Sequence, residues 1–331
     1  MQRGSFIATA ASASLLATLP IDAPAQTART GRKALVLIGG ANRGAYEAGV
    51  IQALIENQHI SDGQPLDYDM IAGTSIGALN AFLVATAQYT QLRELWQGGI
   101  SGGNVFRLKH RYESIPDPQS GVVTRAGSAL KLGKGLVTNV TGVLDPEPVR
   151  AMLGRYVKAD TPMHLPLYIS TTNLTRQRNQ MFSRKATTIE GVRKQQINDQ
   201  LLAPYAQISR PATDAMLQDV MFATACLPMM FDPIVIMSDD GSPVPEQYVD
   251  GGVTSNVPIG IAQLCVESLH VVLLFPKLNP NVTYGSAAEI GLGVFNTMQA
   301  RIIEYQVRLV YEAGTRDLPF HPFIIRPESE L

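Results

Sequence analysis

A short apolar run, Ala34 to Ile38 (ALVLI), ends in Gly39-Gly40, and from Ala45 to Glu56 apolar residues recur at helical spacing. The same grammar then repeats: Tyr68 to Ala72 (YDMIA), a turn from Gly73 to Gly77, and an apolar stretch from Ala78 to Gln88. Each unit reads as a buried strand, a tight turn and a helix. Two strand–turn–helix units in succession point to an α/β fold built on a parallel sheet, because a helical crossover is what returns the chain to lay the next strand parallel to the last.

Downstream, strands are expected at Leu167 to Thr172, Gln180 to Ser183, Ile234 to Met237, Gln247 to Val249 and Ser268 to Phe275. A long helix is expected from Ala287 to Ala313 and a short strand from Phe323 to Ile325. Between Gly98 and Pro146 the pattern dissolves into glycine, proline and scattered charge, with Arg107, Lys109, Arg111, Arg125, Lys131 and Lys134 outnumbering Glu113, Asp117 and Asp145. This reads as a loop-rich insertion (98–146). A catalytic domain over 33–275 and a C-terminal helical extension over 276–331 complete the division.

The chain has 331 residues, 45% apolar and 17% charged, which suits one sizeable domain with its own core. A net charge of −1 gives no global attraction to nucleic acid or to an anionic membrane, so nucleic acid is not an expected partner and any lipid contact must be local. Cys226 and Cys265 lie in apolar surroundings without a CxxC pair or zinc spacing, so they read as buried thiols and no metal site is expected. At the N-terminus Arg3 precedes a small-residue apolar run and then Ala23-Pro24-Ala25, an A-x-A pattern. The expectation is a signal peptide over 1–25, cleaved after Ala25, a linker over 26–32, and export to the periplasm or medium; a leader without function would leave the chain cytoplasmic.

Gly73-Thr74-Ser75-Ile76-Gly77 is a G-x-S-x-G pentapeptide between a strand and a helix. Such a turn lifts a serine hydroxyl above the sheet edge, while glycines two residues to either side keep side chains away from it. Gly39-Gly40-Ala41-Asn42-Arg43-Gly44 fills the other strand-to-helix turn and so lies at the same carboxyl edge, where main-chain N–H groups meet an anion. The GANRG wording also looks like the cofactor turn of short-chain dehydrogenases, yet none of the eleven tyrosines is followed four residues later by the lysine those enzymes need. Asp250-Gly251-Gly252 follows a short strand, and the glycines let another chain approach an aspartate suited to act as a base. Asp-Gly alone is also a common turn signal.

Taken in order, GGANRG, GTSIG and DGG resemble the patatin-like phospholipase family, as do GAYEAGVIQAL, LYISTTNL, ATACLPMMFDP and DGGVTSNVPIGIA around them. The resemblance covers about residues 33–275. It implies a three-layer α/β/α fold with a mostly parallel central sheet, no cofactor, and a serine acyl-ester hydrolase acting on lipid or other acyl esters. Ser75 would be the nucleophile and Asp250 its base. The amides of Gly40 and Ala41 would hold the oxyanion within a turn that also includes Gly39, Arg43 and Gly44. The family usually has a third glycine where this chain has Ala41, and a negative φ is expected there.

Two alternatives stand beside this reading. A patatin-shaped lipid-binding protein without catalysis would keep the same motifs, and a serine–histidine mechanism would recruit His270 or His321 out of five histidines. His270 lies inside an apolar strand and His321 in the loop PFHPF. The segment Ala129 to Val137 (ALKLGKGLV) mixes lysine with leucine and suggests peripheral membrane contact, or a solvated cover over the sheet edge.

Overall fold

In the computed structural model the first apolar run forms β1 (Lys33–Leu37), which turns through a 3₁₀ segment into α1 (Gly44–Gln58). There follow β2 (Met70–Thr74), α2 (Ile76–Ala85), α3 (Tyr89–Glu94), α4 (Glu147–Tyr156), β3 (Leu167–Asn173), β4 (Arg178–Arg184) and β5 (Ser209–Pro211). Then come α5 (Leu217–Thr224), β6 (Ile234–Met237), β7 (Pro245–Asp250), β8 (Ser268–Val272), α6 (Ala287–Gly314) and β9 (His321–Ile325). The structure describes residues 32–100, 107, 109, 142, 144–184, 209–238, 244–260, 266–274, 287–314 and 321–328. The leader, Cys265, most of the 98–146 insertion and the Ala129 to Val137 segment lie outside the described residues.

Among the described residues nine strands form one sheet in the order β5-β4-β3-β2-β1-β8-β9, with β7 paired to β3 and β6 to β7. The pairs β1–β2, β1–β8, β2–β3, β4–β5 and β8–β9 are parallel, whereas β3–β4, β3–β7 and β6–β7 are antiparallel. The alternation of the pleat sends Leu35, Leu37, Ile71, Leu167, Ile169 and Phe182 to one face, where α1 to α5 pack. It sends Ala34, Val36, Ile38, Met70, Ala72 and Tyr168 to the other, against Val257, Ile259 and Ile303 of α6. With both faces covered, the central strands are apolar throughout rather than alternating, which is why ALVLI and MIAGT read as continuous runs.

One detail of the sheet positions the site. β4 occupies one edge of β3 along its whole length. The opposite edge is shared: β2 pairs with it up to Thr74 opposite Ser170, and β7 arrives from the other direction and ends with Asp250 opposite Thr171. Two strands thus meet head to head on neighbouring residues of β3, one carrying Ser75 just past its end and the other carrying Asp250 at its end.

Three expectations shift. β2 starts at Met70, not Tyr68, because Asp69 Oδ2 accepts the Lys33 amide at 2.7 Å and the Tyr68 amide folds back on the Leu66 carbonyl at 2.7 Å. The strand gained at the other end runs through Gly73 and Thr74 to the serine itself. The helix expected to continue to Gln88 stops at Ala85, where Thr86 Oγ1 donates to the Phe82 carbonyl at 2.7 Å and Ala87 adopts a left-handed φ of 52°. The strand expected from Phe323 begins at His321, and as β9 it pairs parallel with β8 across the α6 crossover and lengthens the sheet. The helices α3, α4 and α5 and the short strand β5 are not among the elements expected from the sequence.

Candidate active site

Ser75 stands at the junction of β2 and α2 with φ 53° and ψ −128°, a backbone conformation that costs a non-glycine residue about 1–3 kcal/mol. What holds it is visible. The Ser75 amide donates to Thr224 Oγ1 at 2.8 Å, and that hydroxyl donates in turn to the Ser170 carbonyl of β3 at 2.5 Å. The flanking glycines act through backbone contact: a Cβ at Gly77 would lie 2.5 Å from the Ile38 carbonyl oxygen, and one at Gly73 would lie 2.5 Å from the Gly77 carbonyl oxygen. α2 is therefore seated directly on the end of β1, which brings the two strand-to-helix turns against each other.

Asp250 is 1% exposed. Its Oδ1 accepts the Gly252 amide at 2.7 Å, capping the 3₁₀ turn Gly251–Val253, and Thr172 Oγ1 donates to its carbonyl at 2.9 Å. Oδ2 has no regular hydrogen bond, yet the Ser75 hydroxyl is near enough to pull the carboxyl's pKa down. Both statements hold for a contact that is close but poorly aligned, as is common before substrate binds. Burial outweighs the two stabilising contacts and pushes the Asp250 carboxyl up to about 7. The glycines after it make room: a Cβ at Gly251 would sit 2.3 Å from the Ser170 carbonyl oxygen, and one at Gly252 would sit 2.3 Å from Gln299 Nε2 of α6.

The turn after β1 abuts the serine, for a Cβ on Gly39 would fall 2.9 Å from Ser75 Cβ and 2.7 Å from Asn256 Oδ1. Of the residues expected there, three have amides already engaged. Gly39 N–H donates to Asn256 Oδ1 at 2.9 Å, Arg43 N–H to the Gly40 carbonyl at 3.1 Å, and Gly44 N–H to the Ala41 and Asn42 carbonyls. Gly40 and Ala41 amides make no hydrogen bond to the described residues, and Gly40 packs so closely on Leu274 that a Cβ would meet its Cδ1 at 2.5 Å. Ala41 corrects one expectation: its φ is +51°, not negative. Leaving Gly40 at φ −178°, the chain must bend sharply to enter α1, and the left-handed step falls on the position where the family usually has glycine. Ala41 is exposed, and its left-handed backbone carries strain of about 1–2 kcal/mol.

Beneath this turn lies a buried polar network. Glu47 Oε1 accepts the Ile38 amide at 2.7 Å and Oε2 accepts Asn80 Nδ2 at 2.9 Å; Asn80 also donates to the Gly44 carbonyl and accepts from Trp96 Nε1 at 2.9 Å. Burial drives the Glu47 carboxyl up to about 8 against those two hydrogen bonds. Glu47, Asn80, Thr224 and Asn256 were not singled out from the sequence. Asn80 alone left a trace, as a polar residue in the otherwise apolar GALNAFLVA of α2.

The two candidate histidines lie on β8 and β9, with His270 in mid-strand between Leu35 of β1 and Phe323 of β9. His270 Nδ1 hydrogen bonds Tyr68 Oη at 2.8 Å, before the start of β2, and His321 opens β9 opposite Ser268, at the amino end of β8. Ser75 and Asp250 are at the carboxyl edge. Cys226, the described cysteine, is a buried free thiol whose Sγ donates to the Asp232 carbonyl at 3.0 Å.

Comparison with known proteins agrees with the motifs. The family model described as patatin-like phospholipase matches residues 35–262. A patatin-like phospholipase domain-containing protein of Chaetomium globosum is 46% identical over 68 residues, 20% of this chain and 7% of that protein. One from Neurospora crassa gives the same figures, and one from Pyricularia oryzae is 44% identical over 75 residues, 23% of this chain and 9% of that protein. The chain thus spans less than a tenth of the length of these curated relatives. Among solved structures, VipD from Legionella pneumophila aligns with a TM-score of 0.37 at 16% identity, over 79% of this chain and 52% of that chain.

Proposed function

Since the chain belongs to the patatin-like phospholipase family, we propose that it is a lipid acyl hydrolase of the phospholipase A or lysophospholipase kind, with Ser75 as nucleophile and Asp250 as base. The observation that supports this most is the meeting of β2 and β7 on adjacent residues of β3, which sets the serine hydroxyl beside a buried carboxyl whose Oδ2 is unpaired. A carboxylate that titrates near 7 is a far better proton acceptor at neutral pH than one that titrates near 3.8, so burial supplies the basicity that a serine–aspartate pair needs.

In this mechanism Ser75 Oγ attacks the ester carbonyl as its proton passes to Asp250. Negative charge develops on the carbonyl oxygen, where the amides of Gly40 and Ala41 and the positive end of α2 stabilise it. The tetrahedral adduct collapses, the alcohol leaves with the proton held by Asp250, and an acyl-serine remains. Water then gives its proton to Asp250, attacks the acyl carbon, and releases the fatty acid with return of the proton to Ser75. We also propose export, supported by the A-x-A pattern at Ala23 to Ala25, and local contact with a lipid surface, which the substrate class requires.

The test is hydrolysis of short-chain and phospholipid esters together with labelling by a fluorophosphonate. Ser75→Ala and Asp250→Asn are each expected to lower kcat at least about 10³-fold with the fold intact. The rate should rise with pH through an apparent pKa near 7 and then level. Stability gives an independent check on the same group. Its folded pKa lies above the unfolded 3.8, so between about pH 4 and 7 the native state holds a proton that the unfolded chain has released. Its contribution therefore favours folding at low pH and is lost as pH rises through about 7. Asp250→Asn should accordingly raise stability at pH 8, by on the order of 2 kcal/mol in urea melts. Turnover retained by either variant, or a serine elsewhere taking the label, would refute the assignment.

A further inference from the structure

Asn256 makes two hydrogen bonds to a single residue on the far side of the site. Its Oδ1 accepts from the Gly39 amide at 2.9 Å and its Nδ2 donates to the Gly39 carbonyl at 3.2 Å, from a side chain with 0% exposure. The second bond reaches beyond Gly39. The peptide group that contains the Gly39 carbonyl also contains the Gly40 N–H, and in a planar trans peptide these two point in opposite directions. Holding the carbonyl toward Asn256 therefore aims the Gly40 N–H away from it. The first bond engages the Gly39 N–H, so the next two amides, Gly40 and Ala41, are the ones left to meet an anion.

Asn256 is itself held on both sides. Gln306 of α6 accepts the Val257 amide at 3.1 Å and donates to Ser255 Oγ at 2.8 Å, gripping the residues before and after it. Gln299 Oε1, about two turns earlier on the same helix, accepts from Asn256 Nδ2 at 3.4 Å. The Ser255 carbonyl accepts Ser170 Oγ at 3.0 Å, which ties the segment to β3 where β2 and β7 meet. All of α6 lies beyond the residues that the family model matches.

We propose that Asn256 is a positioning residue for ester hydrolysis, aiming the Gly40 and Ala41 amides at the reacting carbonyl oxygen, and that α6 sets Asn256 through Gln306. The proposal rests on the Ser75–Asp250 reading above and adds to it the residue that orients the oxyanion turn and the helix that sets that residue.

The experiment compares a short-chain oxoester with the matched thionoester, whose sulfur accepts hydrogen bonds poorly. For Asn256→Ala, kcat on the oxoester is expected to fall about 10²-fold with KM within about threefold, while the thionoester loses much less. The oxoester-to-thionoester ratio then drops about tenfold or more. Asn256→Asp keeps an acceptor for the Gly39 amide but lacks the donor to its carbonyl, and is expected to lower the ratio as far. Gln306→Leu, which leaves Asn256 in place but loosens its neighbours, should lower it about threefold and provides the same reading if the Asn256 variants do not fold. A merely structural Asn256 would lower both rates in proportion to folded protein, and an unchanged ratio in folded variants overturns the proposal. Wild-type protein with no ester turnover and an unlabelled Ser75 would instead overturn the Ser75–Asp250 reading beneath it.

Discussion

The turns after β1 and β2 do the same geometric job with opposite means. Each carries a non-glycine residue at a left-handed φ, 51° at Ala41 and 53° at Ser75, and each feeds a helix at the carboxyl edge. Ser75 is locked by its immediate surroundings: its amide is bonded to Thr224, Thr224 is bonded to β3, and a Cβ on Gly73 or Gly77 would lie 2.5 Å from a backbone oxygen. Ala41 is exposed, its amide has no bond to the described residues, and its turn is held two residues upstream, where Asn256 grips Gly39. In the proposed mechanism the reacting hydroxyl has to stay in one place through the whole cycle. The proposed oxyanion turn needs amides that stay unpaired until charge appears, so it must be held by something other than those amides.

Substitutions can break this contrast or sharpen it. The largest effect is expected at Gly77, where alanine drives a methyl into the Leu37 and Ile38 carbonyls of the central strand; Gly77→Ala should lose at least about 3 kcal/mol of stability by thermal or urea melting. Gly49→Ala, in α1 with nothing within 4 Å, is the control and should stabilise by roughly 0.5–1 kcal/mol. An elbow that tolerates Gly77→Ala as easily as α1 tolerates Gly49→Ala would contradict the close seating of α2 on β1.

Next in size is Thr224→Val, which keeps the shape but leaves the Ser75 amide and the Ser170 carbonyl without a partner. It should lower kcat about 10- to 100-fold, whereas Thr224→Ser stays within about threefold of wild type. Equal rates for the two variants would mean that the elbow keeps its φ without the hydroxyl. The smallest effect belongs to the other turn. Ala41→Gly removes strain of about 1–2 kcal/mol but frees the unfolded chain by roughly 0.4–1 kcal/mol, so a net gain of up to about 1.5 kcal/mol is expected in a denaturant melt. A loss of stability on that change would show that the turn is not strained at Ala41.

What the sequence by itself determined is the local grammar. Apolar runs buried on both faces, glycines at the turns and a serine between them specify strand, turn and helix from neighbouring residues alone, and the ordered triple GGANRG, GTSIG and DGG marks the family. Tertiary structure decided the rest. That β2 starts at Met70 and not two residues earlier follows from its pairing with Ala34 and from Asp69 accepting the Lys33 amide, a partner 36 positions away. The left-handed φ at Ala41 runs against the residue's own preference, so nothing in the local sequence announces it. Asn256 and Thr224 read as ordinary turn and helix-end residues, because what distinguishes them is a hydrogen bond to a partner 217 or 149 positions away. The basicity of Asp250 has the same origin: its carboxyl titrates near 7 because water is excluded where β2, β3 and β7 converge, and exclusion of water belongs to the packed assembly of strands rather than to any one stretch of chain.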